Sequence, residues 1–278
     1  MSVTWPRRFR AWLPAVFPVV LALTAGAVQA ADNSAAPAVS TADASPGPTA
    51  ETRSSLFSLY RPNYLIIGPE NSPVAGNVTS KFQLSLKYDI GSNLYLAYTQ
   101  RVYWDITRDS EPILDMSVQP ELFYLWRPAP EHTGRWDLRD ARAGFVHESN
   151  GKDGSSSRSW TRLYLEPHFR WDGLFLEPRV WTIIERDEQN RNITDYYGYA
   201  DLMFGYETAS RQRFTVTGRH GSKHGNVQLD ATLPLQSLWA NGNMHPWLYA
   251  QAWAGYGETL LYYNVRTYAF RIGIEFHP

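Results

Sequence analysis

From Phe82 to Ile90 the chain alternates, with Phe82, Leu84, Leu86, Tyr88 and Ile90 separated by Gln83, Ser85, Lys87 and Asp89. Successive side chains of a β-strand point to opposite faces, so this pattern predicts a strand with one apolar and one polar wall. The same period of two places Leu114, Met116, Val118, Leu122, Tyr124 and Trp126 against Asp115, Ser117, Gln119 and Glu121. It sets Leu163, Leu165 and Phe169 against Arg162, Glu166, His168 and Arg170. The last alternating run carries Tyr268, Phe270, Ile272, Ile274 and Phe276 between Thr267, Ala269, Arg271, Gly273 and Glu275. Further strands are predicted over 63–68, 94–104, 140–149, 174–186, 198–206, 213–220, 225–234 and 246–255. Gly91-Ser92-Asn93, Asp172-Gly173 and Asn241-Gly242 supply turn chemistry between them.

The alternating runs last roughly nine to twelve residues, the length a tilted strand needs to cross a bilayer. Strands of soluble sandwiches are usually shorter, about five or six residues. The fold expected is therefore an all-β, transmembrane antiparallel β-barrel of about twelve strands, an even number as single-chain bacterial barrels prefer. Its lumen would be lined by charges of both signs, Arg142, Arg162, Arg170 and Arg179 against Glu121, Glu148, Glu166 and Glu177. A narrow lumen crowded with opposed charges closes on itself, which weighs against a conducting pore.

Composition changes this picture in three places. Residues 1–30 combine Arg7, Arg8 and Arg10 with an apolar run and small residues at Val28-Gln29-Ala30, the pattern of a cleaved signal peptide. Residues 31–53 hold no large apolar side chain and are expected to form a disordered leader, leaving 54–278 as the barrel domain. The chain has 11 Trp, 17 Tyr and 12 Phe, as aromatic girdles at the two membrane surfaces would require. With no Cys, disulfide frameworks and cysteine chemistry are excluded. A formal net charge of −1 argues against nucleic acid as a partner.

Candidate chemistry sits on the strand predicted over 140–149. Ala141, Ala143, Phe145, His147 and Ser149 share one face, so a base and a nucleophile stand on the wall that meets lipid. Thr161 has the parity of Leu163 and Leu165, and hairpin pairing would bring its hydroxyl beside His147 to accept an imidazole N–H. The segment Asn150 to Ser157 between them is rich in Gly, Ser and Asp, and can bend carbonyls and hydroxyls around a hard cation such as calcium. His168 is read as structural, and His220, His224, His245 and His277 show no metal-ligand spacing.

His147, Ser149, Asn150 and Gly151, followed by Ser157, Arg158, Ser159, Trp160, Thr161, Arg162 and Tyr164, resemble the signature of the outer-membrane phospholipase A family. The likeness extends to Asn63-Tyr64-Leu65, Lys81 to Leu86, Tyr98-Thr99-Gln100 and Gly255 to Glu258, covering most of 56–278. It implies a twelve-stranded barrel in the bacterial outer membrane that hydrolyses phospholipid acyl esters as a calcium-dependent homodimer. Esters at sn-1 are expected, and sn-2 is left open. Ser149 would be the nucleophile and His147 the general base, with calcium and the Gly151 N–H at the oxyanion. The calcium ligands carried over are the Lys152 carbonyl, the Ser157 hydroxyl and the Ser110 carbonyl of the partner subunit, and Gln100 becomes a dimer contact. Two positions depart from the family: Thr161 stands where Asn is usual, and Gly154 where some members have Asp, with Asp153 or water as substitutes. A catalytically silent barrel, a small channel or a structural protein, is the alternative.

Overall fold

The structure is a computed structural model that describes residues 56–110, 112–129, 136–235 and 246–277. The signal peptide over 1–30, the leader over 31–53, the Asn241-Gly242 turn and His245 lie outside the described residues. The strands are β1 (Phe57–Leu59), β2 (Asn63–Asn71), β3 (Val78–Gly91), β4 (Leu94–Asp105), β5 (Ile113–Trp126), β6 (Asp137–Ser149) and β7 (Ser159–Trp171). They continue as β8 (Leu174–Arg186), β9 (Ala200–Glu207), β10 (Arg213–His220), β11 (Gly225–Pro234), β12 (Trp247–Tyr256) and β13 (Arg266–Phe276).

Every pairing is antiparallel between neighbours, β13 returns to β2, and β3 pairs with both β2 and β4, so the sheet closes. β1 lies against Leu86–Tyr88 of β3, while β2 covers Val78–Gln83 of the same strand. These two are one strand interrupted at Tyr60–Pro62, where a proline cannot donate to the ladder. The wall is thus a closed twelve-stranded barrel, as the alternation predicts. Closure pairs β13 with β2, so the ends of the sheet satisfy each other as a hydrocarbon solvent demands. Asp172 (φ 45°) and Gly173 (φ 81°) form the two-residue hairpin between Trp171 and Leu174. Both central residues have positive φ, as the favoured hairpin turn requires.

Burial runs opposite to that of a soluble protein. Leu163 and Phe270 on the outer wall are 52% and 50% exposed, whereas Arg271 and Glu148 in the lumen are 0% and 4% exposed. Apolar side chains stand outward because the outer solvent is lipid. The lumen charges are paired. Arg179 lies 3.4 Å from Glu121 and 3.3 Å from Glu166, and Arg142 lies 3.3 Å from Glu166. Arg170 is 3.8 Å from Glu177. His168 sits between Asp140, at 2.7 Å, and Glu166, at 3.0 Å, which is the structural role expected of it. Across the lumen Arg271 bridges Glu70 and Glu258, and the Lys81 ammonium donates to Gln251 at 2.8 Å. An aromatic cluster that includes Tyr60, Tyr95, Phe123, Trp160, Tyr164, Trp181 and Tyr197 packs among these pairs. These pairs and rings occupy much of the lumen, and a cavity of about 310 Å³ remains among Arg142, Glu166, His168, Arg213 and Asp230.

Candidate active site

β6 and β7 form the hairpin that carries the candidate residues, joined by the loop 150–158. Their register sets Thr161 directly opposite His147 and Ser159 opposite Ser149. His147 Nδ1 is 2.9 Å from Thr161 Oγ1, the contact that strand parity predicts. Ser149 lies on the same outward face as His147, two residues along the strand, and its hydroxyl has no hydrogen-bond partner among the described residues. No hydrogen bond joins His147 to Ser149 in this state. Catalytic contacts are often long until substrate fills the site.

The residue between them points the other way. Glu148, buried in the lumen, accepts from Ser117 and Gln119 at 2.9 Å each, Trp160 Nε1 at 3.0 Å and Arg162 at 2.8 Å. These donors come from β5 and β7, so one carboxylate ties β6 to both neighbours. Trp160, packed edge-on against Trp181 and Tyr197, is held in turn. Sequence alone reads Glu148 as one lumen charge among many, because its donors are distributed over two other strands.

The loop is clipped by Asn150. Its side-chain oxygen accepts from Arg158 N at 3.0 Å and Lys152 N at 3.3 Å, and its amide donates to Ser156 O at 2.9 Å. Gly151 (φ 64°) and Gly154 (φ 61°) adopt the left-handed conformation that glycine takes without strain. The Gly151 N–H is not used by the loop's own hydrogen bonds. Ser157 donates its hydroxyl to Asp187 at 2.6 Å, just beyond the end of β8. Donation from the Gln189 N–H, and then from Ser157, holds the Asp187 carboxyl below its ordinary value of 3.8. Asp187 is absent from the sequence expectation because thirty positions separate it from Ser157. Its only sequence signal is the acidic run after β8.

Among the described residues, no three His, Cys, Asp or Glu side chains gather as a metal site. The Ser157 hydroxyl and Asp187 carboxylate stand together, and the resemblance adds the Lys152 carbonyl. Such an all-oxygen set fits calcium better than zinc or copper. Ser110 stands exposed in the β4–β5 loop and makes no bond to the 150–158 loop. Gln100 has outward parity but is 9% exposed, accepting from Tyr98 at 3.3 Å and donating to Met116 Sδ at 2.9 Å. Its amide is therefore partnered within its own chain, unlike the bare amide that parity suggests.

The sequence model of the family described as phospholipase A1 matches residues 49–276. The chain is 32% identical to phospholipase A1 of Proteus vulgaris over 205 residues, 70% of this chain and 68% of that protein. Over the same shares it is 30% identical to phospholipase A1 of Escherichia coli. The fold superposes on the Salmonella typhi outer membrane phospholipase dimer with bound calcium at a TM-score of 0.72. That match has 27% identity and covers 82% of this chain and 94% of that one. It also superposes on outer membrane phospholipase A from Escherichia coli at a TM-score of 0.70, with 28% identity and 80% and 98% coverage. Fold and relatives together define an integral outer-membrane β-barrel enzyme that hydrolyses phospholipids. The chain belongs to the phospholipase A1 family.

Proposed function

We propose that this barrel cleaves phospholipid acyl esters with Ser149 as nucleophile, His147 as general base and Thr161 as the group that orients His147. The observation that carries the reading is the 2.9 Å contact between His147 Nδ1 and Thr161 Oγ1, on the outward wall that also bears Ser149. With Nδ1–H directed at Thr161, the Nε2 lone pair is free to take the Ser149 proton as the hydroxyl attacks the ester carbonyl. The same imidazolium then returns the proton to the departing lysophospholipid oxygen. The unengaged Gly151 N–H is suited to the oxyanion of the tetrahedral intermediate.

Calcium would be held by the Lys152 carbonyl, the Ser157 hydroxyl and the Ser110 carbonyl of the partner subunit, with Asp187 adding negative charge beside Ser157. Bound there, it supplies Lewis-acid stabilisation of the developing oxyanion. Lys152 and Ser157 alone present neutral oxygens, so a second subunit and Asp187 each strengthen the cage. A homodimer in which Gln100 lies at the contact follows from this sharing. The Salmonella typhi relative, a dimer with bound calcium, supports the same arrangement. A silent channel is disfavoured by the ion-paired lumen.

Hydrolysis of a phospholipid in mixed micelles tests the reading. Turnover is expected with calcium, to fall to background in Ser149→Ala, and to vanish with chelator. Chemical crosslinking should yield a calcium-dependent dimer that weakens in Gln100→Ala. Full activity in chelator would remove the metal from the site, and activity in Ser149→Ala would remove the nucleophile.

A further inference from the structure

We propose that Glu185, acting through Thr161, sets the tautomer of His147. The inference rests on the Ser149–His147 reading above and adds a positioning residue to it.

The observation is a slip in register. Between β7 and β8, Leu163 pairs with Thr182 and Arg162 with Ile183, so Thr161 should meet Ile184. Instead a β-bulge skips Ile184, and Thr161 pairs with Glu185. Bulges next to active sites characteristically re-aim a side chain. Here the slip removes an isoleucine from the position beside Thr161 and installs a carboxylate. His147, Thr161 and Glu185 then form one row across β6, β7 and β8. Directly opposed residues of an antiparallel pair have Cβ atoms about 4.5–5.5 Å apart, within reach of a glutamate on a threonine hydroxyl. Glu185 is exposed at the outer rim and makes no hydrogen bond or ion pair among the described residues. A carboxylate at this edge of a lipid-facing wall contributes no stability that the structure shows.

The chemistry explains why a threonine needs such a neighbour. A hydroxyl both donates and accepts. If Thr161 donates to His147 Nδ1, the ring proton sits on Nε2, and the imidazole cannot take the Ser149 proton. If Thr161 accepts from Nδ1–H, Nε2 is free to act as base, but the hydroxyl hydrogen then needs another acceptor. Among the described residues, Thr161 makes no side-chain hydrogen bond apart from the one to His147. Swung onto Thr161, the Glu185 carboxylate, which is paired with it in register but not bonded to it in this structure, takes that hydrogen and leaves the Thr161 oxygen to accept. It also places a negative charge one hydroxyl away from the imidazolium. An asparagine at 161 would offer a carbonyl with no hydrogen to place, so the need for Glu185 is specific to Thr161.

The test is steady-state hydrolysis by the full chain in calcium-containing mixed micelles. Glu185→Ala is expected to lower kcat about tenfold with KM unchanged, and Glu185→Gln, which keeps an acceptor oxygen, to recover much of the loss. In a Thr161→Asn background the same Glu185→Ala change should alter kcat less than about twofold. Imidazole nitrogen-15 shifts should report Nδ1–H on His147 in the wild type and a mixed or Nε2–H population in Glu185→Ala, independently of turnover. An equal loss in both backgrounds, an unchanged tautomer, or a rise in KM alone would overturn the proposal. If Ser149→Ala stays active in the same assay, the parent reading fails instead.

Discussion

Glu148 stands between His147 and Ser149 with its back to the membrane, and four donors from the neighbouring strands converge on it. Removing one partner of a buried pair costs about 3–5 kcal/mol, because the other charge is left without compensation. Glu148→Ala would strand the Arg162 guanidinium and the Trp160 indole at once. The expected outcome is a lower unfolding temperature, read by heat-dependent gel mobility, together with a fall in kcat as the His147–Ser149 backbone loses its anchor. Unchanged stability would show that the network is not the anchor. At this scale the sequence is legible only where parity decides. His147, Ser149 and Thr161 follow from counting by two. Asp187 and Glu185 do not, because their nearness to the site depends on where β8 ends and on a single bulge.

At the scale of elements, nearly every strand can be drawn from its alternation, because each wall meets a different solvent. The structure lengthens several of them by one to three residues, as at β6, which begins at Asp137 rather than 140. The outer loops are less legible, since they have no period. There, the Asp195 carboxylate receives the Lys223 ammonium at 2.8 Å and the Ser222 hydroxyl at 2.6 Å, docking the β10–β11 turn. Those two donors, Lys223 first, hold Asp195 below its ordinary 3.8. A depressed carboxyl contributes fully above its unfolded value and loses that contribution as pH falls through the folded value. Hydrogen-exchange protection of residues 221–224 should therefore persist from neutral pH to about pH 4 and be lost below it. Asp195→Asn should lose protection already at neutral pH. Equal protection in the variant would show that the backbone bonds from Ser222, Lys223 and His224 suffice.

For the whole molecule, the question is whether the barrel conducts. Arg271 holds Glu70 and Glu258 together, with Lys81 3.8 Å from Glu258, while Arg179 gathers Glu121 and Glu166 on the opposite side. Planar-bilayer recording of the wild type should show no steady open-pore current. Arg271→Ala, which leaves two buried carboxylates facing each other, should cost about 3–5 kcal/mol of stability. A large constant conductance in the wild type would contradict the closed lumen.

The sequence by itself determined the wall of this protein: a period of two, sustained over membrane-spanning lengths, permits only one solvent on each side. It also placed a serine, a histidine and a threonine on the lipid side, since parity is local and survives folding. Tertiary structure decided what parity cannot carry. Closure of the sheet brought the lumen charges into pairs, and the loop 150–158 reached Asp187 across an adjacent strand. A one-residue slip chose Glu185 over Ile184 as the neighbour of Thr161. Register between strands is set by side chains far apart in the chain, and one residue of slip exchanges an apolar neighbour for a charged one.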